Sequence, residues 1–117
     1  MRDVIYSDEV MDRLDKLKEN LIEYQGEKKG KKTLCEIVDR IEELAVFPGK
    51  GLPVSERFNV NCNPAWHVLY IPMNYYIYKW DDEHVYILKM YDYREDIMQR
   101  LFGTSMRSLE SIKYWGE

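Results

Sequence analysis

The chain has 117 residues, enough for one domain with one hydrophobic core and too few for two ordinary domains. Hydrophobic residues make up 45% and charged residues 32%, which excludes an intrinsically disordered chain, and no apolar run approaches the length of a membrane span or a signal peptide. The net charge of -4 argues against a protein that binds nucleic acid through its overall field, because such binding needs clustered lysine and arginine. We expect one folded, cytoplasmic domain. Cys35 and Cys62 are too few for a disulfide framework, so both are expected to be reduced cysteines. No motif predicts a metal or a cofactor.

The first residues predict a strand followed by a helix. Val4 and Ile5 are β-branched residues within a short apolar run at residues 2–6. Ser7 is a suitable helix N-cap, and the two acidic residues behind it favour the positive end of a helix dipole. Apolar residues then recur at the spacing of one helical face, at Val10, Leu14, Leu17 and Leu21. They predict a first helix of about four turns.

A second helix is predicted after a glycine- and lysine-rich interruption. Gly26 and Gly30 break the first pattern, and residues 33–36 have the spacing of a capping box. An apolar stripe follows, made of Leu34, Ile37, Val38, Ile41, Leu44 and Ala45. It ends before Pro48, because proline cannot continue a helix. We predict that the second helix starts near residue 33, with the alternative that the lysine run at residues 27–32 is itself helical. If this run is a turn between the helices, a solvated link is favoured over a binding patch.

Three short strands are predicted at residues 66–72, 75–80 and 84–91, where aromatic and β-branched residues are dense. The two connections between them are of hairpin length, so neighbouring strands pair in an antiparallel meander. Residues 49–53 read as a loop, and residues 57–63 as either an edge strand or an extended approach to the meander.

Alternation along the middle strand assigns its side chains to two faces of the sheet. One face receives Tyr76, Tyr78 and Trp80, and the other receives Tyr75, Ile77 and Lys79. The heavier aromatic set is expected to meet the helices. The other face should stay partly open, lined by Tyr75 and Lys79.

The element order predicts a two-layer α+β domain: an N-terminal strand, an antiparallel helix pair, a three- or four-stranded antiparallel meander and a short C-terminal helix. We assign residues 1–103 to this domain, including a weak helical stripe at Ile97, Leu101 and Phe102. Residues 104–117 form a tail with apolar residues at helical spacing, at Met106, Leu109, Ile112 and Trp115. The tail is expected to be a short helix that packs on its own domain, with docking on a partner as the alternative.

This order resembles that of the RelE/ParE superfamily, the toxins of bacterial type II toxin–antitoxin systems. The resemblance covers about residues 3–102 and is carried by four stretches, VIYSDEVMDRLDKLKENL, FPGKGLP, YYIYKWDDEHVYILKMY and DYRED. It implies a plasmid-stabilisation type of toxin that is neutralised by an antitoxin protein. It also implies a homodimer or a toxin–antitoxin hetero-oligomer, and no membrane partner.

Two mechanisms occur in the superfamily, and the resemblance distinguishes them by basic residues on the open face. RelE-like members cleave messenger RNA on the ribosome, whereas ParE-like members act on DNA gyrase. Arg94 matches the arginine at the exit of the last strand, but the first meander strand has no lysine, and the family's next arginine falls on Tyr75 or Tyr76. We therefore expect ParE-like inhibitory binding. The alternatives are a ribosome-dependent endonuclease with a reduced site and a non-toxic protein-interaction domain.

The endonuclease alternative has four open-face candidates: Arg94, His67, Tyr75 and Tyr91. Attack by a 2′-hydroxyl requires loss of its proton and stabilisation of charge on the phosphorane. Arg94 would stabilise that charge, and His67 would exchange protons near neutral pH. Tyr75 or Tyr91 would stack on a base or donate a proton. The competing interpretations are a surface ion pair for Arg94 and a structural role for His67.

Overall fold

The computed structural model describes residues 1–95, in which two helices pack on one face of a five-stranded sheet. The long elements are β1 (Asp3–Tyr6), α1 (Asp8–Gln25), α2 (Glu27–Glu42), β3 (His67–Ile71), β4 (Asn74–Trp80) and β5 (His84–Asp92). Between α2 and β3 lie two 3₁₀ turns (Glu43–Ala45 and Pro48–Lys50), β2 (Leu52–Pro53) and α3 (Val54–Arg57). The strand, helix pair and strands follow the predicted order.

The sheet has the strand order β1-β5-β4-β3-β2. The β3-β4-β5 meander is antiparallel, as predicted. At one edge β1 pairs in parallel with β5, from Asp3 opposite His84 to Tyr6 opposite Ile87. At the other edge β2 adds two residues to β3. Within the meander a register shift places Ile77 opposite Lys89 and the next residue of β4 opposite Ile87, which is the pattern of a β-bulge.

Helix α1 begins where the sequence predicts. The Ser7 hydroxyl oxygen accepts the backbone N–H of Val10 at 3.1 Å and donates to the carbonyl of Leu88 at 3.0 Å. One side chain therefore caps the helix and anchors it to β5.

Helix α2 begins at Glu27, in agreement with the alternative in which the lysine run is helical rather than with a start near residue 33. Gly26 joins the two helices with a φ of +88°, a conformation that favours glycine. Gly30 is buried where the helices meet, and a Cβ there would lie 2.7 Å from the Ile22 nitrogen. Gly30 thus marks a close approach of α1 and α2.

The main core lies between the helix pair and the sheet. Its buried members are Val10, Leu14, Ile41, Leu44, Leu69, Ile71, Tyr76, Tyr78, Val85, Ile87 and Met90. Tyr76 and Tyr78 face the helices, as strand alternation predicts. Tyr78 donates its hydroxyl proton to the Pro48 carbonyl at 2.6 Å, whereas the buried Tyr76 hydroxyl has no hydrogen-bond partner within residues 1–95.

The opposite side of the sheet, called the second face below, is partly open, as expected, and partly covered by chain that the sequence did not place there. Val54, Val68, Ile77 and Tyr91 form a second buried cluster there, against which Phe58, Cys62, Trp66 and Tyr75 pack. The cover comes from α3 and the chain that follows it, because residues 57–63 do not form the edge strand considered from the sequence. Residues 49–53, expected to be a loop, contribute part of a 3₁₀ turn and β2. Tyr70 and Lys79 remain exposed, so the face is open only in part.

The remaining sequence expectations concern the C-terminal residues, membrane-spanning helices and the two cysteines. The stripe at Ile97, Leu101 and Phe102 and the tail at residues 104–117 lie beyond the described residues. Within residues 1–95, no helix has both the length and the apolar character needed to cross a bilayer. Cys35 and Cys62 are both free thiols.

Candidate interaction site on the second face

Arg57, a residue that the sequence did not single out, is the centre of a basic and aromatic group on the second face. It ends α3, a single helical turn that Val54 anchors in the second cluster. The backbone N–H of Val54 donates to the Trp66 carbonyl at 3.0 Å, which ties this turn to the start of β3. Phe58 follows with its ring edge-to-face against Tyr75, at 5.9 Å between centroids. These contacts hold Arg57 above the sheet.

The guanidinium of Arg57 lies over two aromatic rings. Its Cζ atom is 5.1 Å from the Phe58 ring centroid and 5.6 Å from that of Tyr75. Its Nη2 donates to the Tyr75 hydroxyl at 3.1 Å. The Tyr70 ring lies 5.0 Å from that of Tyr75 and is 47% exposed. We call Arg57, Phe58, Tyr70 and Tyr75 the Arg57 cluster.

A cavity of about 190 Å³ opens beside this cluster. It is lined by Lys50, Gly51, Leu52, Arg57, Val68, Leu69, Tyr70 and Tyr75. The Lys50 ammonium forms an ion pair with Glu43, so its charge is already balanced. Arg57, in contrast, makes no ion pair with a carboxylate of residues 1–95. The cavity therefore has one basic wall with an uncompensated charge.

Tyr75 and Tyr91, two of the predicted candidates, lie directly opposite each other on β4 and β5. Tyr75 belongs to the Arg57 cluster, but Tyr91 is only 3% exposed. Burial raises the pKa of the Tyr91 hydroxyl, and the Arg13 guanidinium lies 5.4 Å from the centre of its ring. Tyr91 is thus a core residue with little access to a ligand.

His67 lies on the other side of the sheet from Tyr75. It is opposite Tyr78 in the β3–β4 pairing, and its ring packs edge-to-face against Trp80 at 4.5 Å. Its Nδ1 is 3.2 Å from the Ala65 carbonyl oxygen. These contacts agree with the structural interpretation of His67.

Arg94 is exposed and forms a two-point ion pair with Asp92. Its Nε and Nη2 donate to the two carboxylate oxygens of Asp92, at 3.1 and 3.2 Å. The Arg94 guanidinium lowers the pKa of the Asp92 carboxyl, and the Arg94 backbone N–H adds a further bond at 2.9 Å. The geometry is that of a surface ion pair at the strand exit, the competing interpretation given above.

The four predicted candidates do not converge on one site. Tyr75 lies on the second face, Tyr91 is buried, His67 lies on the helix side, and Arg94 is paired with Asp92. What the structure adds is Arg57, whose contact with Tyr75 joins residues 18 positions apart. No local sequence signal marks that contact. The described residues also contain no group of three or more histidine, cysteine, aspartate or glutamate side chains that could hold a metal ion.

Chemically, the Arg57 cluster can bind an anionic or planar group. Arginine offers several N–H donors in a fixed plane, and the aromatic rings hold that plane in place. No histidine or free carboxylate in the described residues lies among the cavity-lining residues to act as a general base. Lys50, Tyr70 and Tyr75 are the groups of this lining that can exchange protons.

Comparison with known proteins identifies the fold. No protein-family model matches the sequence, and no curated protein matches it either. Among solved structures, a chain titled "Chromosomal ParDE TA system from P. aeruginosa" matches with a TM-score of 0.62 and 15% sequence identity. The match covers 79% of this chain and 96% of that one. The chain therefore shares the fold of that ParDE chain, which confirms the ParE-like α+β fold expected from the sequence.

Proposed function

We propose that this chain is the toxin component of a bacterial type II toxin–antitoxin system. It inhibits growth by binding a macromolecular target, with DNA gyrase as the ParE-like candidate, and an antitoxin neutralises it. The observation that carries the proposal is the fold match to a chain of a ParDE system, which extends over 96% of that chain. A shared fold is compatible with several functions, so the site must supply the mechanism.

The positions of the candidate residues support binding rather than cleavage. An endonuclease needs a proton acceptor, a charge-stabilising cation and a proton donor around one phosphate. Here His67 packs against Trp80 on the helix side, and Arg94 is held by Asp92 at the exit of β5. Because His67 is opposite Tyr78 and Arg94 follows the end of β5 that is opposite Asn74, the two groups lie at different ends of the meander and do not meet around one phosphate.

An exposed apolar patch supports a protein partner. Val46 and Phe47, which follow the 3₁₀ turn Glu43–Ala45, are 53% and 66% exposed and line an open cavity of about 850 Å³. Its other lining residues are Glu43, Pro48, Gly49 and Lys50. Apolar side chains grouped in this way are commonly covered by another protein. An antitoxin is a suitable partner for such a patch.

The first test is bacterial growth on induction of the intact chain. Companion strains express Arg94→Ala, a truncation after Gly103, and Arg40→Ala, a control that removes an exposed arginine from α2. We expect arrest by the intact chain and by both arginine variants, and relief on co-expression of a small acidic protein encoded next to it. Arrest by the truncation alone would identify the tail as an inhibitor and would still support toxicity.

The second test separates the mechanisms with purified protein. Inhibition of DNA supercoiling by gyrase, unchanged in Arg94→Ala, is the expected result. Ribosome-dependent cuts in messenger RNA that disappear in Arg94→Ala would instead establish the endonuclease alternative. Normal growth in every strain, with folded protein confirmed in each, would refute the toxin proposal and leave a protein-interaction domain.

A further inference from the structure

We propose that the cavity beside the Arg57 cluster is a receptor for a carboxylate side chain of an extended protein segment, which pairs with the outer edge of β3. This inference goes beyond the proposed function, because it names a site and a ligand chemistry without depending on toxicity. Two independent features of the described chain carry it: an unbalanced arginine and an unfilled strand edge.

The first feature is the charge of Arg57. Its guanidinium is held over the Phe58 and Tyr75 rings and donates one bond to the Tyr75 hydroxyl. Its other N–H groups make no ion pair with residues 1–95. A guanidinium fixed in this way has lost much of its side-chain freedom before a ligand arrives. It therefore favours a planar carboxylate that can accept two parallel hydrogen bonds.

The second feature is the edge of the sheet. Strand β2 pairs with β3 only through Leu52 opposite Val68 and Pro53 opposite His67. Residues 69–71 of β3 have no further strand beside them in the described part of the chain. An edge of this kind can accept an extended segment through main-chain hydrogen bonds.

The two features are adjacent. Tyr70 lies on the unfilled edge, and its ring contacts Tyr75 at 5.0 Å between centroids. Side chains of an added strand alternate between the faces of the sheet. One placed opposite Tyr70 would point to the second face, into the cavity of about 190 Å³ that Arg57 lines. That volume suits one acidic side chain.

The charges favour a carboxylate over a nucleic acid. The chain carries a net charge of -4, and the nearby Lys50 is already paired with Glu43. A polyanion gains affinity from many clustered cations, which this cavity does not offer. A single carboxylate needs only one well-placed arginine.

The test is titration of the purified full chain, labelled with ¹⁵N, with two heptapeptides. Both alternate threonine and valine and are capped at their ends; one has a central glutamate and the other a central glutamine. We expect the glutamate peptide to shift the amide signals of residues 50–57 and 68–75, with an affinity roughly tenfold above that of the glutamine peptide. Arg57→Gln should abolish this difference, and the matched variant Arg40→Gln should keep it.

Control measurements make the result decisive. Arg57→Lys keeps the positive charge without the planar fork, and it should retain only a small part of the preference for glutamate. The amide spectrum of each variant reports whether it is folded. Equal shifts with both peptides, or none with either, would refute carboxylate recognition. A single-stranded oligonucleotide that shifts these signals when the glutamate peptide does not would identify a nucleic-acid site instead.

Discussion

Gly30→Ala tests the contact between α1 and α2. A Cβ at this position would lie 2.7 Å from the Ile22 nitrogen and 2.8 Å from the Leu21 carbonyl carbon. Both are main-chain atoms, so no side-chain rotation can relieve the overlap. To reach ordinary contact at 3.4 Å, the two helices must move apart by about 0.7 Å, the difference between 3.4 and 2.7 Å.

The size of the effect follows from two opposing terms. Overpacking costs about 1–3 kcal/mol, and we take about 3 because the overlapping atoms belong to the main chain. Alanine recovers about 1 kcal/mol through its higher helix propensity. The net loss in the free energy of unfolding is therefore about 2 kcal/mol, which lowers the melting temperature by about 8 °C at about 4 °C per kcal/mol.

Urea unfolding followed by circular dichroism measures this loss. The matched control is Gly49→Ala, because a Cβ at Gly49 has no neighbour within 4 Å. That variant should change stability by less than about 0.5 kcal/mol. If Gly30→Ala proved as stable as the parent chain, or more stable, the close packing of α1 against α2 described above would be wrong.

Two further predictions concern polar groups. Tyr76→Phe removes a buried hydroxyl that has no partner within residues 1–95, so thermal unfolding should show a gain of about 1 kcal/mol; a clear loss of stability would mean that the hydroxyl has a partner. Asp81 accepts the backbone N–H groups of Glu83 and His84 at 2.8 and 2.7 Å, and these bonds lower its pKa below 3.8. Because the folded-state pKa is lowered, the stabilisation is present above about pH 3.8 and is lost as the pH falls through the folded-state value. Asp81→Asn should remove this pH dependence. If the difference in the free energy of unfolding between this variant and the parent chain stayed constant from pH 6 to pH 2, the stabilising role of the Asp81 carboxylate would be contradicted.

The sequence predicted those features that depend on residues close together in the chain: helix caps, hairpin connections and the alternation of side chains along a strand. Ser7 is a cap because its own side chain reaches a backbone N–H three residues ahead. The meander follows from short connections between aromatic strands, and the inward side of Tyr76 and Tyr78 follows from alternation. These inferences needed no knowledge of distant residues.

Contacts between distant residues account for what the sequence did not reveal. From the sequence, Gly30 was interpreted as an interruption between helices. In the structure it lies within α2, where the main chain of α1 packs against it. In the sequence nothing distinguishes Arg57 from other charged residues, and only the folded position of α3 places its guanidinium over the Tyr75 ring. The four proposed catalytic residues were placed on one face, but alternation alone does not tell which face carries His67. Such positions depend on tertiary packing.

The parallel pairing of β1 with β5 also has a consequence for synthesis of the protein. The Ser7 hydroxyl bonds to the Leu88 carbonyl, across 81 residues of chain. A ribosome releases the N-terminal strand long before its neighbour in the sheet exists, and contacts between such distant residues form slowly. A nascent chain that ends before residue 84 lacks the strand that β1 pairs with and part of the core beneath α1. The folded sheet, and with it the second face, is therefore completed only when nearly all of the described chain has left the ribosome.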